Sequence, residues 1–312
     1  MPFESNINRP DIPEESRAVG VFDSGIGGLT VMKELMRLLP NEQILYFGDT
    51  ARIPYGTKSG ETVRRFALED SFFLLEKEVK MIVVACNTAS AVAVPFLREI
   101  LPVPVIGVIQ PGAAAAARYS KSGKVGVIGT AATIRSGSYN REMLKVRPEM
   151  QILTRACPLL VPLVEEGMVE DEATYLIARR YLQPIMENNP DTLILGCTHY
   201  PLLKNLLQRI VGPDVLLVDS GVEAAREVKR ILAEKNMAAP GPRKPRHQLF
   251  VSDLPDKFQE VSERFLECSL PFLQTVDFER FLMRKGAKFW EKFQGKLKEY
   301  LQEQLPNYPE VR

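Results

Sequence analysis

Residues 81–90, MIVVACNTAS, decide the fold, because an apolar run leads directly into a cysteine and a short polar turn. An apolar run of this length, bounded by turn-forming residues, is typical of a buried strand. The run predicts a strand that ends at Cys86 and a helix that begins near residue 89. Residues 193–200, LILGCTHY, repeat the arrangement and place Cys197 directly after a second apolar run.

Strands and helices alternate on both sides of these two stretches, which predicts parallel sheets with crossover helices. The pattern then restarts near residue 123. VGVFDSG (19–25) parallels VGVIGTA (125–131), MIVVACNTAS parallels LILGCTHYP, and VPVIGVIQPGAAAAAR (103–118) parallels DVLLVDSGVEAAR (214–226). Three matched segments in matched order predict two similar α/β units that face each other across a cleft. Because functional loops lie at the carboxyl ends of parallel strands, each unit would present one cysteine to that cleft.

We therefore predict an α/β fold with two parallel-sheet domains and a C-terminal helical extension. The expected parts are a disordered leader (1–17), a discontinuous first domain (18–112 and 221–273), a second domain (113–220) and the extension (274–312). We also expect strands at 103–109 and 248–253, the second of these at an edge of its sheet. Apolar residues recur every three or four positions between 289 and 301, and a packing face and a contact between protomers both remain open.

The composition is that of a globular protein without a strong charge bias. Of 312 residues, 45% are hydrophobic and 25% charged, with a net charge of +1, so we expect neither nucleic acid nor a membrane surface as a partner. The four cysteines are far apart and form no CxxC pair, which argues against a disulfide scaffold and a zinc site and favours a cytoplasmic location. Since only two histidines occur, a histidine-rich metal centre is excluded, and we expect no metal.

The two strand-end cysteines favour a shared chemical role. A single cysteine in such a place is most often a small buried hydrophobe, which is how we interpret Cys157 and Cys268. Cys86 and Cys197, however, hold equivalent places in the repeat and both precede hydroxyl or amide side chains. Two thiols on opposite sides of one carbon suit an inversion, in which one thiolate removes a proton and the other thiol returns one. This pattern predicts inversion of a carbon centre without a cofactor.

Such chemistry needs groups that tune the thiols. An amino-acid Cα–H is a very weak acid, so a thiolate of ordinary pKa, about 8.5, needs a site that stabilises the carbanion. Asp23 stands at an adjacent strand end, His199 lies two residues after Cys197, and the pair 165–166 contributes two glutamates. The histidine could instead cap a helix. We expect one of the two glutamates to point inward.

Short polar turns after the strands are candidates for binding a carboxylate. DSGIGG (23–28) lacks both the GxGxxG order and the lysine of a phosphate loop, so a nucleotide site is disfavoured. Backbone N–H groups in this turn, and at 87–88, 130–133 and Thr198, could hold a small dicarboxylate. Tyr55 and Gly56 stand in a loop that could help cover it.

Taken together, these segments resemble the glutamate racemases of the aspartate/glutamate racemase superfamily. The matching segments are VFDSGIGGLTV (21–31), YFGDTARIPYG (46–56), ACNTAS (85–90), CPLLVPLVEEG (157–167), LGCTHYPLL (195–203) and VDSG (218–221). The resemblance covers about residues 19 to 266. It implies two α/β domains related by a pseudo-twofold axis, with the active site between them. It also implies interconversion of L- and D-glutamate without pyridoxal phosphate or metal, for bacterial peptidoglycan synthesis.

The resemblance further implies roles for single residues. Cys86 would deprotonate D-glutamate and Cys197 would deprotonate L-glutamate, supported by Asp23, Glu166 and His199. Glu166 is chosen because it occupies the family position before Gly167. The implied substrate contacts are Asp23, Ser24, Tyr55, Gly56, Asn87, Thr88, Thr198 and His199.

Two alternatives to a glutamate racemase remain open. One is a racemase of aspartate or another small acid, since a pair of thiols does not define side-chain length. The other is a binding protein that regulates a partner and has secondary catalysis, which the extra tail motivates. For the racemase we expect glutamate as the small-molecule partner, no cofactor, and a homodimer.

Overall fold

The computed structural model describes residues 13–242, 244–254, 258–269 and 272–285. Two parallel sheets with helices packed on them make up this part of the chain. The prediction of an α/β fold with two parallel-sheet domains is confirmed. Among the residues described, none of the helices has the length and apolar character needed to cross a membrane.

The first sheet is built from both ends of the described chain. Its strands are β1 Val19–Asp23, β2 Ile44–Gly48, β3 Met81–Val84, β4 Val105–Gly107, β9 Gln248–Val251 and β10 Phe272–Thr275. Their order is β10-β9-β2-β1-β3-β4, and each neighbouring pair is parallel. β1, β2 and β3 are buried along their whole length, as expected for strands covered on both faces.

The second sheet repeats the central order of the first. Its strands are β5 Lys124–Gly129, β6 Gln151–Ala156, β7 Thr192–Gly196 and β8 Leu216–Asp219, in the order β6-β5-β7-β8. This matches β2-β1-β3-β4 strand for strand, so β3 and β7 are equivalent. Cys86 and Cys197 both follow these equivalent strands, as the internal repeat predicts.

The helices lie on both sheets and between them. They are α1 Leu29–Leu38, α2 Gly60–Leu75, α3 Asn87–Ile100, α4 Ile109–Tyr119, α5 Ala131–Arg135, α6 Ser138–Val146, α7 Leu160–Glu165, α8 Glu172–Met186, α9 Lys204–Val211, α10 Ser220–Glu234 and α11 Phe258–Leu266. Residues 278–285 are also helical. α10 packs against both α1 and α4. One apolar cluster therefore extends from Val19 in the first sheet to Leu193 and Leu195 in the second. The two halves therefore share a core that sets their relative position.

Part of the predicted disordered leader has a defined structure. Residues 1–12 lie outside the described residues, but 13–17 are ordered and contain a 3-10 turn, Glu14–Ser16. The buried Lys80 ammonium donates to the Glu15 carbonyl at 2.8 Å and forms an ion pair with Glu42 at 2.6 Å. A buried ammonium needs such partners, and it therefore holds this segment against the first domain.

Two predictions about strands are also wrong. The strand expected at 103–109 is only Val105–Gly107, because α4 begins at Ile109. β9 is not at the edge, because β10 pairs with it and takes residues 274–275 from the predicted extension. The rest of the extension's apolar pattern, beyond residue 285, lies outside the described residues. The domain boundaries stay a prediction, and the one expected after residue 112 falls within α4.

Candidate active site

The predicted site residues gather where strands β1, β3, β5 and β7 end. Asp23 is the last residue of β1, while Cys86 and Cys197 lie one or two residues beyond β3 and β7. All three are deeply buried, with exposed fractions of 1% for Asp23, 6% for Cys86 and 5% for Cys197. Burial raises the pKa of Cys86, and a negative charge on Cys197 adds a smaller upward contribution, so the two sulfurs lie within electrostatic range of each other. Ordinary solvent screening is therefore weak at this site.

Cys86 is the N-cap residue of α3. Its backbone is extended, and its Sγ accepts a hydrogen bond from the N–H of Ala89 at 3.5 Å. The thiol donates to Ser24 Oγ at 3.6 Å. Burial raises the pKa of Cys86 to about 12, and the neighbouring Asp23 carboxylate adds to the shift. Desolvation thus outweighs the helix N-terminus, which by itself favours a thiolate, and Cys86 is a protonated thiol at neutral pH.

Only one of the two carboxylate oxygens of Asp23 has a hydrogen-bond partner among the described residues. Its Oδ2 accepts a hydrogen bond from the N–H of Gly25 at 3.0 Å, within the DSGIGG turn. Its Oδ1 is buried and has no hydrogen-bond partner among the described residues. Burial raises the pKa of Asp23, and the nearby His199 opposes that shift. A buried carboxylate oxygen without a donor is costly, so it is available to a polar group that enters the site.

His199 joins Cys197 to a carboxylate. Its Nδ1 lies 3.8 Å from Cys197 Sγ, and its Nε2 lies 2.9 Å from Glu165 Oε1. Burial alone would lower the pKa of His199, but the contacts with Cys197 and Glu165 outweigh burial and raise it to about 10. The ring is therefore an imidazolium at neutral pH. A cation beside the sulfur stabilises negative charge on Cys197.

The two neighbouring glutamates have different surroundings. Glu165 is the last residue of α7 and contacts His199, whereas Glu166 caps the helix and is exposed. Adjacent helical residues point about 100° apart, so only one of them can reach the histidine. Glu165 is thus the carboxylate that contacts His199, and the supporting role expected of Glu166 stays a prediction.

The DSGIGG turn touches the Cys197 turn across the cleft. Thr30 Oγ1, in the first turn of α1, donates to the Thr198 carbonyl at 2.9 Å. A Cβ atom added to Gly27 would lie 2.3 Å from Thr198 Oγ1 and 2.5 Å from His199 Cε1. Only glycine permits this approach of the two turns.

Three threonine hydroxyls form a second connection between the halves. Thr88 Oγ1 lies 2.9 Å from Thr130 Oγ1 and 3.3 Å from Thr133 Oγ1, and the last two are 3.0 Å apart. Thr88 was predicted as a site residue. Thr130 and Thr133 were named only as part of a turn, although their place after β5, the equivalent of β1 before Asp23, was the signal that could have found them.

The Tyr55 side chain points away from the cleft. Its hydroxyl lies between the carboxylates of Asp49 and Asp70, which also bind Arg52. Burial raises the pKa of Asp70 well above its usual range, the charge of Asp49 adds to that shift, and Arg52 opposes it. These contacts hold the loop in place. Gly56 lies against Thr130, because a Cβ added to Gly56 would be 3.2 Å from Thr130 Cβ. The loop thus reaches the second half, although the tyrosine hydroxyl does not face the site.

The remaining two cysteines are not brought into the site. Cys157 is buried and donates to the Arg155 carbonyl at 3.7 Å, and Cys268 is exposed. In the part of the chain that the structure describes, no group of three or more His, Cys, Asp or Glu side chains could hold a metal ion.

Comparison with known proteins shows which family the chain belongs to. Residues 19–228 match the family model described as Asp/Glu/Hydantoin racemase. The chain is 51% identical over 263 residues to a glutamate racemase of Geobacter metallireducens, a match that covers 84% of this chain and 97% of the relative. The chain belongs to the Asp/Glu/Hydantoin racemase family.

Solved structures from glutamate racemases of this family have the same fold. A glutamate racemase of Bacillus anthracis superimposes with a TM-score of 0.81 at 40% identity, over 84% of this chain and 98% of that one. A glutamate racemase of Francisella tularensis, in complex with D-glutamate, gives a TM-score of 0.80 at 42% identity, over 85% and 99% of the two chains. The resemblance inferred from the motifs is confirmed.

Proposed function

We propose that the protein interconverts L- and D-glutamate, with Cys86 and Cys197 as the two acid–base groups. The observation that carries this proposal is the convergence of two buried cysteines from equivalent strands of two sheets. Each thiol approaches from its own half of the molecule, so a carbon held between them would meet one sulfur on each face. Inversion needs that arrangement, because the proton must leave one face and return to the other.

In the direction from L- to D-glutamate, Cys197 is the base. The imidazolium of His199 stabilises its thiolate, which takes the α-proton and becomes a thiol. Cys86, protonated in the free protein, gives its proton to the opposite face and becomes a thiolate. The reverse direction exchanges the two roles. Each turnover thus moves one proton onto one sulfur and one proton off the other, and the net charge of the pair is unchanged.

Donors around the thiols would hold the two carboxylates. Asn87 Nδ2 is buried and has no partner among the described residues, and the hydroxyls of Thr88, Thr130 and Thr198 stand at the same cleft. Ser24 and Gly56 come from the two turns that frame it. Fixed donors in a buried site also stabilise the negative charge that develops as the α-proton leaves. Asp23 and His199 complete the set as groups that bind or exchange protons.

Glutamate is the proposed substrate because the relatives quoted are glutamate racemases and one of them binds D-glutamate. A supply of D-glutamate would serve peptidoglycan synthesis in a bacterium. Aspartate is the second candidate. The two thiols act at Cα, so their arrangement does not select the length of the substrate side chain. Turnover of both acids at a range of concentrations separates the two.

The test is exchange with deuterated water. Either enantiomer of glutamate is incubated with the protein and EDTA, without added cofactor, and followed by optical rotation and by mass spectrometry. We expect decay to the racemate with one deuterium at Cα of each inverted molecule. Retention of both the optical rotation and the Cα proton would end the proposal.

We also propose a cytoplasmic location and a homodimer. The four free cysteines of the described structure support the first. The apolar pattern at 289–301, outside the described residues, supports the second. Sedimentation of the full chain and of a variant that ends at residue 285 tests the dimer: the full chain should sediment as a dimer, and the shortened chain as a monomer with turnover retained. A shortened chain that turns over but no longer binds another protein would instead favour the regulatory role.

A further inference from the structure

Tyr139 connects the two halves of the candidate site. It lies in α6, beside the second sheet, and only 2% of its surface is exposed. Its hydroxyl donates to Asn87 Oδ1 at 2.7 Å. Asn87 directly follows Cys86 and belongs to the first half of the molecule, so this hydrogen bond crosses between the two domains.

The ring of the same tyrosine reaches the other cysteine turn. A Cβ atom added to Gly196 would lie 3.1 Å from Tyr139 Cε2, so the ring packs on the backbone directly before Cys197. On its other edge, a Cβ added to Gly112 of α4 would lie 3.6 Å from Tyr139 Cε1. One rigid side chain therefore contacts the residue after Cys86 and the residue before Cys197. Its length spans the gap between the two turns.

The hydrogen bond also determines how the Asn87 amide is oriented. With its oxygen bound to Tyr139, the amide must direct Nδ2 elsewhere, and that nitrogen is buried without a partner among the described residues. An unpaired buried donor is costly unless a ligand satisfies it. A carboxylate oxygen of an amino-acid substrate is the acceptor that suits it.

We propose that Tyr139 is a positioning residue for racemisation, whose hydroxyl orients Asn87 Nδ2 towards a substrate carboxylate and whose ring sets the spacing of the two cysteine turns. The inference rests on the proposed racemase reaction. It assigns the hydroxyl to substrate binding and the ring to the alignment of the two thiols. These two parts can be separated by substitution.

Tyr139→Phe removes only the hydroxyl. We expect KM for both enantiomers to rise about tenfold, as for the loss of one well-placed hydrogen bond, with kcat within about threefold of wild type. Tyr139→Leu also removes the ring and should lower kcat by about 10²-fold, because small displacements of reacting groups are costly. Wild-type KM in Tyr139→Phe, or wild-type kcat in Tyr139→Leu, would overturn the assignment.

Asn87 provides a test that leaves Tyr139 in place. Asn87→Asp keeps an acceptor for the tyrosine hydroxyl and replaces only the Nδ2 donor, so KM should rise at least about tenfold through repulsion of the substrate carboxylate. In an Asn87→Ala background, adding Tyr139→Phe should raise KM no further, since the two residues act as one unit. An unchanged KM in Asn87→Asp, or full additivity in the double variant, contradicts the proposal. The Asn87→Asp result can be read even if Tyr139→Phe fails to fold.

Ser138→Ala is the matched control. Ser138 Oγ donates to the Ala91 carbonyl at 3.0 Å, so it makes a hydrogen bond between the same two helices from the adjacent residue, without touching Asn87. We expect its KM and kcat to stay within about twofold of wild type. A rise in KM equal to that of Tyr139→Phe would show that loosening the contact between the domains is sufficient. If the wild-type protein shows no racemisation, the proposed function itself is refuted, whatever the variants do.

Discussion

The Cys86 half and the Cys197 half of the site share a backbone and differ in their side chains. Each cysteine follows the third strand of a β2-β1-β3-β4 type order and precedes a polar turn. Cys86 has the Asp23 carboxylate and the Ser24 hydroxyl as neighbours, whereas Cys197 has the imidazolium of His199. The repeated backbone therefore decides where the thiols lie, and the neighbouring side chains give each thiol a different electrostatic environment.

In the proposed mechanism, this difference suits the two thiols to opposite roles. Burial and Asp23 keep a proton on Cys86, and His199 stabilises negative charge on Cys197. The cation beside Cys197 supports its proposed role as the base in the direction from L- to D-glutamate.

Removal of either sulfur should have the largest effect. Cys86→Ser and Cys197→Ser are each expected to lower kcat by about 10³-fold or more, because a serine hydroxyl is a far weaker acid and its alkoxide is inaccessible at neutral pH. Polarimetry in both directions measures the loss.

Cys157→Ser is the matched control for these two variants, since it is also a buried cysteine that follows a strand, β6, and should stay within a few-fold of wild type. Substantial turnover in either of the first two variants would contradict the two-thiol assignment.

A pair of glutamine variants sharpens the Cys197 half. Glu165→Gln removes the charged partner of His199 and should lower kcat about tenfold, the order expected for one charge-assisted hydrogen bond. Glu166→Gln, at the exposed neighbour, should stay within about twofold. Steady-state kinetics of both variants is the measurement, and the reverse order of effects would favour the choice made from the sequence.

The smallest effect concerns stability and pH. The pKa of His199 rises from 6.5 to about 10 in the folded state, so its interactions stabilise the fold fully below pH 6.5. That stabilisation falls as the pH rises from 6.5 towards 10, because only the folded state then still binds the proton. We expect the Tm difference between wild type and His199→Gln to shrink over this range. A difference that stays constant from pH 6 to pH 10 would show that the histidine is not held as a cation.

The sequence predicted those features that depend on strand order and on residue type. The apolar runs before Cys86 and Cys197 and the internal repeat were sufficient for the parallel sheets and for a shared cleft. Three details depended on geometry that the residue pattern does not contain. Glu165 and Glu166 are adjacent, and only the geometry at the end of α7 shows which of them contacts His199. The Tyr55 hydroxyl binds the buried carboxylates of Asp49 and Asp70. β10 was missed because its residues are mostly exposed and show no strand period.

The triangle formed by Thr88, Thr130 and Thr133 has a consequence for turnover. Each hydroxyl both donates and accepts, so three protons can satisfy three oxygens in a closed ring. In the proposed reaction, a substrate carboxylate bound beside them would accept the same protons, so the three hydroxyls would keep a hydrogen-bond partner. Hydrogen bonds among the three hydroxyls would then be exchanged for hydrogen bonds to the substrate carboxylate. When the product leaves, the hydroxyls would bind one another again, so each hydrogen bond lost to the product would be replaced by one between the two halves.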